Sequence, residues 1–142
     1  MIMTINSENS NILLELMNSQ GKYDGSFRKL WNSLPKSQYE TAYHVCRKTS
    51  PHFSPELIGK KVVIKSAFYA GSCGLNPGWS SEREENSGVI SEIQLSEIVW
   101  TDGSHKAWEV NTKITCPDGH VECLVESTRQ PSIGRHEYIV VQ

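Results

Sequence analysis

Apolar side chains recur every three to four residues in the first third of the chain. Phe27, Leu30, Trp31 and Leu34 occupy positions i, i+3, i+4 and i+7, which places them on one face of a helix. The proline at position 35 cannot continue a helix, because it lacks an N–H group and its ring clashes with the preceding turn. The pattern therefore predicts an amphipathic helix from position 26 to about position 34.

Two further segments with helical spacing flank this one. The segment Asn11–Gln20 has Ser10 before it as a candidate N-cap. The segment Ser37–Lys48 begins with Ser37 and Glu40, whose spacing is that of a capping box. Three short helices are therefore predicted.

Beyond position 55 the apolar period changes to two, the repeat of a β-strand. Trp108, Val110 and Ile114 alternate with polar residues, which predicts a strand with one buried face and one exposed face. The Pro- and Ser-rich residues 49–55 are predicted to be a linker, and Asp102–Gly103 is a hairpin signal. The predicted strands cover residues 61–69, 88–95, 97–101, 105–115, the segment after the turn 116–119, and 137–141.

The turn at residues 116–119 fixes the predicted pairing of its two strands. A four-residue turn places Ile114 opposite Val121 and Thr112 opposite Cys123, so that apolar residues share a face. A three-residue loop would place Ile114 opposite Glu122 and is rejected on that ground. The four-residue turn is the predicted register.

These elements predict an α+β fold. Residues 1–54 form a helical segment that packs on the sheet or mediates association, and residues 55–142 form a small antiparallel β-barrel or bent sheet of five to six strands. The strand count and the start of the strand half at Gly59 give it a resemblance of shape to SH3, Tudor and KOW barrels. That resemblance implies no particular function.

Residues 70–87 are predicted to be a long loop, and loops of this length in compact domains are mostly functional or disordered. Trp79 has no apolar neighbour nearer than Leu75, so it is either an interface anchor or a plug for one end of the barrel. Glu82, Glu84 and Glu85 would form an acidic rim beside it. The predicted partner-binding residues are Asn76, Trp79, Arg83, Trp100 and His105.

Charge gives an alternative role to the helical segment. The chain has 142 residues and a net charge of −2, which does not indicate a strongly basic nucleic-acid binder. However, residues 1–54 carry six Lys/Arg against four Asp/Glu. The helices are therefore also considered as a helix-turn-helix variant that binds nucleic acid. Its contact residues would be Arg28, Lys29, Gln38, Thr41, His44, Arg47 and Lys48.

Two patterns are tested for metal or catalytic chemistry. The spacing of Cys116, His120 and Cys123 is compatible with zinc, but in the predicted register Cys123 faces inward while the other two lie at the exposed turn. Cys73 lies in a glycine-containing loop without a base selected by spacing. No catalytic residue, metal ligand or cofactor is therefore predicted, and a thiol or zinc enzyme is kept only as a third hypothesis.

The beginning of the sequence has neither a basic leader nor an apolar run of membrane-spanning length, so the protein is expected to be cytoplasmic, without a membrane role. Its four cysteines are expected to be free thiols in that compartment. The leading hypothesis is a non-enzymatic, regulatory interaction protein that binds a protein partner. Nucleic acid as a partner and homo-oligomerisation remain open.

Overall fold

The computed structural model describes residues 2–48, 50–70, 78–99, 106–127 and 133–142, and it has the predicted α+β class. Three α-helices are followed by strands of one antiparallel sheet, to which an N-terminal strand also belongs. Short 3-10 turns lie at Lys36–Gln38 and Pro55–Leu57. The helices are α1 (Ser10–Ser19), α2 (Ser26–Ser33) and α3 (Tyr39–Arg47), and the strands are β1 (Ile2–Asn6), β2 (Lys61–Tyr69), β3 (Arg83–Val99), β4 (Lys106–Thr115), β5 (Val121–Ser127) and β6 (Gly134–Val141).

The central strand of the sheet is β3. The strand order is β5-β4-β3-β2-β6, and β1 pairs with the C-terminal part of β3. Residues 83–89 of β3 pair with β2, and residues 92–96 pair with β1. Over the described residues the sheet is not closed into a barrel, so the SH3-like or Tudor-like shape stays a prediction.

The N-terminal strand β1 was not predicted. Met3 and Ile5 are buried and lie opposite Leu95 and Ile93 of β3. The segment is only five residues long, so its alternation of apolar and polar residues is too short to stand out from the sequence. The first 54 residues thus contribute a strand as well as helices, and their apolar side chains share one core with the sheet.

One strand, β3, replaces two predicted strands and part of the predicted loop. Ser96 pairs with both Ile2 and Glu109, so the polar residue between the two predicted strands does not interrupt the ladder. Residues 83–87 pair with β2 and shorten the predicted loop 70–87. The predicted hairpin signal at 102–103 lies outside the described residues, although Val99 and Lys106 on either side of it are paired.

The predicted helix caps are replaced by other contacts. The N-cap of α1 is Asn9 instead of Ser10, and the Asn9 Nδ2 group donates to Thr4 O (2.9 Å) and to Gln38 Oε1 (3.1 Å). Asn9 thereby ties β1 to the start of α3. The capping box at position 37 does not form, because a 3-10 turn precedes α3 and its N-cap is Gln38.

The hydrophobic core lies between the helices and one face of the sheet. The predicted linker takes part in it, since Phe53 is only 2% exposed. Trp108 packs at its margin, which agrees with the alternation predicted for β4. The core side chains are Met3, Ile5, Leu13, Leu16, Leu34, Ala42, Val45, Phe53, Val62, Ile64, Ile90, Ile93, Leu95, Val110, Ile114, Leu124 and Ile139.

The predicted register of β4 and β5 is wrong by one residue. Ile114 lies opposite Glu122, and Cys116 N donates to His120 O (2.9 Å) to close a three-residue turn. The prediction assumed that the valines of β5 face the core. Leu124 faces it instead, while Val121 and Val125 are 52% and 53% exposed on the other face at the end of the sheet. The burial of Leu124, and not the number of apolar residues in β5, sets this register.

A partly buried ion pair joins β5 to the segment after α3. His52 Nε2 lies 3.1 Å from Glu126 Oε2. Burial raises the pKa of the Glu126 carboxyl, although the nearby His52 and a hydrogen bond from the Ile139 backbone favour the charged form. The folded protein therefore holds the Glu126 proton more tightly than the unfolded chain does.

This raised pKa predicts how stability depends on pH. The stabilising contribution of protonated Glu126 is complete below about pH 4.5, which is the ordinary pKa of a glutamate side chain. This contribution is lost as the pH rises through the raised pKa that Glu126 has in the folded protein. We expect Glu126→Gln to remove that loss, so that the free energy of unfolding falls less between pH 4.5 and 7 than in the parent. Denaturant titrations across this range test the prediction, with Glu84→Gln at an exposed position of β3 as the control. Parallel pH profiles for parent and Glu126→Gln would contradict it.

Candidate functional site

Backbone hydrogen bonds hold Trp79 beside the end of β2. Trp79 forms an isolated antiparallel bridge with Tyr69. Ser80 N donates to Phe68 O (2.8 Å), and Ala70 N donates to Gly78 O (3.0 Å). These bonds continue the β2–β3 pairing past Arg83. Trp79 therefore belongs to an extended hairpin and has a defined position relative to the sheet.

The Trp79 indole packs at a tilt against Tyr69 and edge-to-face against His136, and it remains accessible. Its ring centroid lies 4.9 Å from that of Tyr69 and 5.5 Å from that of His136, which belongs to β6. The side chain is 54% exposed. We call Tyr69, Trp79 and His136 the Trp79 patch. The indole does not join the core cluster, as a barrel plug would.

Side-chain alternation along β2 places this patch on the face of the sheet away from the helices. Val62 and Ile64 point into the core, so Tyr69, at an odd number of residues from either, points to the opposite face. Phe68 lies on the helix-side face of the same hairpin and is 49% exposed. Trp79 and Phe68 are thus two similarly exposed aromatic side chains on opposite faces of one hairpin.

Polar side chains border the Trp79 patch. Glu82 pairs with Lys65 (3.4 Å) and accepts a hydrogen bond from Tyr138. This bond raises the pKa of Tyr138 to about 12. The predicted acidic rim is therefore partly neutralised, since Glu82 is paired and Glu85 pairs with Arg135. The accessible feature of this surface is aromatic, with a polar margin.

The structure describes two of the five predicted partner-binding residues, Trp79 and Arg83. Arg83 is exposed but lies opposite Ser66, which puts it on the other face of the hairpin from Trp79. Asn76, Trp100 and His105 lie outside the described residues. Sequence reasoning missed Tyr69 and His136. Tyr69 reaches Trp79 through the bridge within the hairpin, and the pairing of β2 with β6 brings His136 to it. No local signal in the sequence marks either residue.

A groove of about 570 Å³ lies between α2, α3 and the end of α1. Trp31 stacks on Tyr39 (5.4 Å between ring centroids) and faces Phe27 on its own helix at 6.1 Å. Arg47 lies over the Tyr43 ring and donates to its hydroxyl (2.8 Å). The lining residues are Gln20, Phe27, Arg28, Trp31, Asn32, Tyr43, Cys46 and Arg47. The groove thus combines aromatic rings with two arginines.

The residues proposed for nucleic-acid contact fall into two groups. Arg28 and Arg47 line the groove, and Lys29 and Lys48 are exposed near it in the chain. The other three side chains are engaged inside the fold. Thr41 is buried, the His44 ring packs 4.8 Å from that of Trp108, and Gln38 accepts from Asn9. Burial lowers the pKa of His44. As the recognition helix of a helix-turn-helix variant, α3 would need a continuous polar face. In the structure this polar face is therefore interrupted.

A third cluster lies at the β4–β5 turn. Ligand atoms of Cys116, His120 and Glu122 are all within 4.8 Å of one another. The His120 ring contacts Glu122 Oε1 through Nε2 (2.9 Å) and Asp118 through Nδ1, and hydrogen bonding to these two carboxylates raises the pKa of His120. The sequence singled out Cys116 and His120 together with Cys123. In the observed register Glu122 joins them, while Cys123 is exposed on the other face.

Comparison with protein-family models, curated proteins and solved structures found no match for this chain. Among the helices that the structure describes, none is both long and apolar enough to cross a membrane.

Proposed function

We propose that this protein is a non-enzymatic, cytoplasmic interaction protein that binds a protein partner through the Trp79 patch. One observation carries the proposal. A tryptophan that is 54% exposed is held in a fixed orientation by Tyr69 and His136, on the face of the sheet away from the helices.

The Trp79 indole is preorganised for binding a partner. Tryptophan is among the residues most enriched at the energetic centres of interfaces, because its large ring transfers much apolar area out of water. The bridge to Tyr69 and the contact with His136 order the indole before binding, so less conformational entropy is lost when a partner packs on it. The polar margin of Lys65, Glu82 and Tyr138 resembles the polar rim of an interface.

Photo-cross-linking from two positions of the hairpin tests this proposal. A photoreactive phenylalanine analogue is placed at position 79 in one variant and at position 68 in the other, in the full chain expressed in its natural host. Phe68 is the matched control, since it is 49% exposed on the opposite face of the same hairpin. We expect a discrete covalent adduct from position 79 and none from position 68.

The mass of the adduct identifies the occupant of the patch. A heterologous protein attached at position 79 supports the proposal. An adduct of twice the chain mass would instead make the patch a self-association surface. Adducts from position 68 alone, or from neither position, would contradict the proposed function.

A second candidate function is nucleic-acid binding by the helical segment, in a regulatory role. The groove between α2 and α3 favours it, because exposed Arg28 and Arg47 flank the rings of Phe27, Trp31 and Tyr43. Proteins that bind single strands combine basic side chains along the backbone with aromatic rings that stack on bases. This arrangement fits a flexible single strand better than a duplex, since α3 lacks a continuous polar face.

This second candidate predicts affinity that depends on salt and on Arg28. We expect the affinity for a fluorescent single-stranded oligonucleotide to fall as salt increases, because phosphate contacts release counterions. Arg28→Glu should lower it about tenfold or more at low salt. Lys60→Glu, at an exposed position away from the groove, is the charge-matched control. Equal losses in both variants, or no binding at low salt, would exclude the groove as a nucleic-acid site.

A further inference from the structure

The turn between β4 and β5 brings three different ligand types to one face. Cys116 and His120 are opposite each other at the mouth of the turn, and Glu122 is the next residue of β5 on the same face. Their ligand atoms lie within 4.8 Å of one another. Thiolate, imidazole and carboxylate are the three protein ligands that zinc accepts. This convergence depends on the three-residue turn, because a shift by one residue would move Glu122 to the other face.

The distances between the three ligand atoms suit a tetrahedral ion once these distances shorten slightly. Ligand atoms around tetrahedral zinc lie about 3.5 Å apart, given bond lengths near 2.0–2.3 Å. The His120 ring and the Glu122 carboxylate already approach to 2.9 Å. Both side chains are nearly half exposed, so rotation about their side-chain bonds can adjust the remaining distances without moving the strands.

Asp118 supplies the outer contact that metal-bound histidines commonly have. Its carboxylate accepts a hydrogen bond from His120 Nδ1 and another from the His120 backbone N–H (3.1 Å). With Nδ1 engaged in this way, Nε2 is the nitrogen directed to Glu122. A carboxylate behind a metal-binding imidazole fixes its tautomer and ring orientation. The same turn thus contains three ligands and the group that orients one of them.

We infer that Cys116 Sγ, His120 Nε2 and Glu122 Oε1 form a binding site for a zinc-type divalent transition-metal ion, with Asp118 as the orienting residue. Three protein ligands leave one position of a tetrahedral ion to water. The mixture of sulfur, nitrogen and oxygen ligands favours zinc over magnesium or calcium, which prefer oxygen alone. The ion would cross-link the two strands at the end of the sheet.

Cobalt(II) is the probe for this site, because it substitutes for zinc and absorbs light. The reduced, chelator-treated full chain is titrated with cobalt chloride while absorption is recorded. We expect saturation at one equivalent, with a sulfur-to-cobalt charge-transfer band and intense visible bands typical of four-coordination. Zinc should abolish both sets of bands by displacing cobalt.

Four variants separate this site from adventitious binding. We expect Cys116→Ser to remove the charge-transfer band and His120→Asn to lower cobalt affinity by about 100-fold, while Asp118→Asn lowers it by about tenfold. Because Cys116 is only 3% exposed, the exposed His120 provides the variant that spares the core. Cys123→Ser is the matched control, since this thiol is exposed on the opposite face of the same hairpin.

The site is supported if the parent chain binds one equivalent of cobalt, if this binding is lost in Cys116→Ser or His120→Asn, and if it is retained in Cys123→Ser. Absence of saturable binding, or a charge-transfer band that survives in Cys116→Ser and disappears in Cys123→Ser, would overturn the inference. Retained affinity in a folded His120→Asn variant would do so as well.

Discussion

Replacing Gly88 by alanine is expected to lower the free energy of unfolding by about 3 kcal/mol. A Cβ atom at position 88 would lie 2.5 Å from the backbone oxygen of Thr115 and 2.7 Å from the Cγ2 atom of Ile114. Neither contact can be relieved by rotating a flexible side chain, because one involves the backbone and the other a fully buried core residue. The central strand β3 must therefore move away from β4 to admit the methyl group.

Denaturant unfolding of Gly88→Ala and Ser87→Ala measures this effect. Ser87 is the adjacent residue of the same strand and is exposed, so Ser87→Ala should change the free energy of unfolding by less than about 0.5 kcal/mol. A loss below about 1 kcal/mol in Gly88→Ala would show that β3 and β4 are not in the close contact described here.

The helices were predicted well because their evidence is local. The stripe of Phe27, Leu30, Trp31 and Leu34 specifies one apolar face, and Pro35 gives the end point. The structure has α2 over Ser26–Ser33, almost as predicted. The evidence for the helix caps is less local, because their partners can lie far away in the chain. Asn9 reaches Thr4 and Gln38, and the partner at position 38 is 29 residues away in the chain.

The sheet was predicted less well because strands depend on their neighbours. Ile5 pairs with Ile93, 88 positions away along the sequence, and five residues of alternation do not reveal such a pairing. Ser96 was predicted to divide two strands, but it pairs with both β1 and β4, and the pairing of β3 with β4 continues past it to Val99. The β4–β5 register required knowing that Leu124 is buried and that Val121 is exposed on an edge strand of the sheet.

The candidate sites likewise combine residues that local sequence identifies with residues that only the pairing of distant strands brings together. Trp79 was identified from sequence, because a tryptophan among turn-forming residues has no apolar pattern to join. Tyr69 and His136, which hold it, come from two strands that are far apart in sequence. The set of candidate metal ligands depends on the register of β4 and β5. The predicted pairing set Cys116 and His120 apart from Cys123, whereas the observed one brings Glu122 to them.

Replacing Trp79 by alanine is expected to weaken binding of the partner by about 30-fold or more, equivalent to 2 kcal/mol or more. The indole is the largest accessible side chain of the Trp79 patch, and it is ordered before binding. Its removal deletes apolar contact area and also loosens Tyr69 and His136. Fold stability should change little, by about 1 kcal/mol or less, because Trp79 is outside the core cluster.

We propose that a protein partner binds to the face of the sheet that bears Trp79. Isothermal titration calorimetry measures the affinity of the partner captured at position 79 for the parent chain, Trp79→Ala and Phe68→Ala. We predict a loss of about 30-fold or more for Trp79→Ala and a change within about twofold for Phe68→Ala. Unchanged affinity in Trp79→Ala, or a larger loss in Phe68→Ala, would contradict the claim.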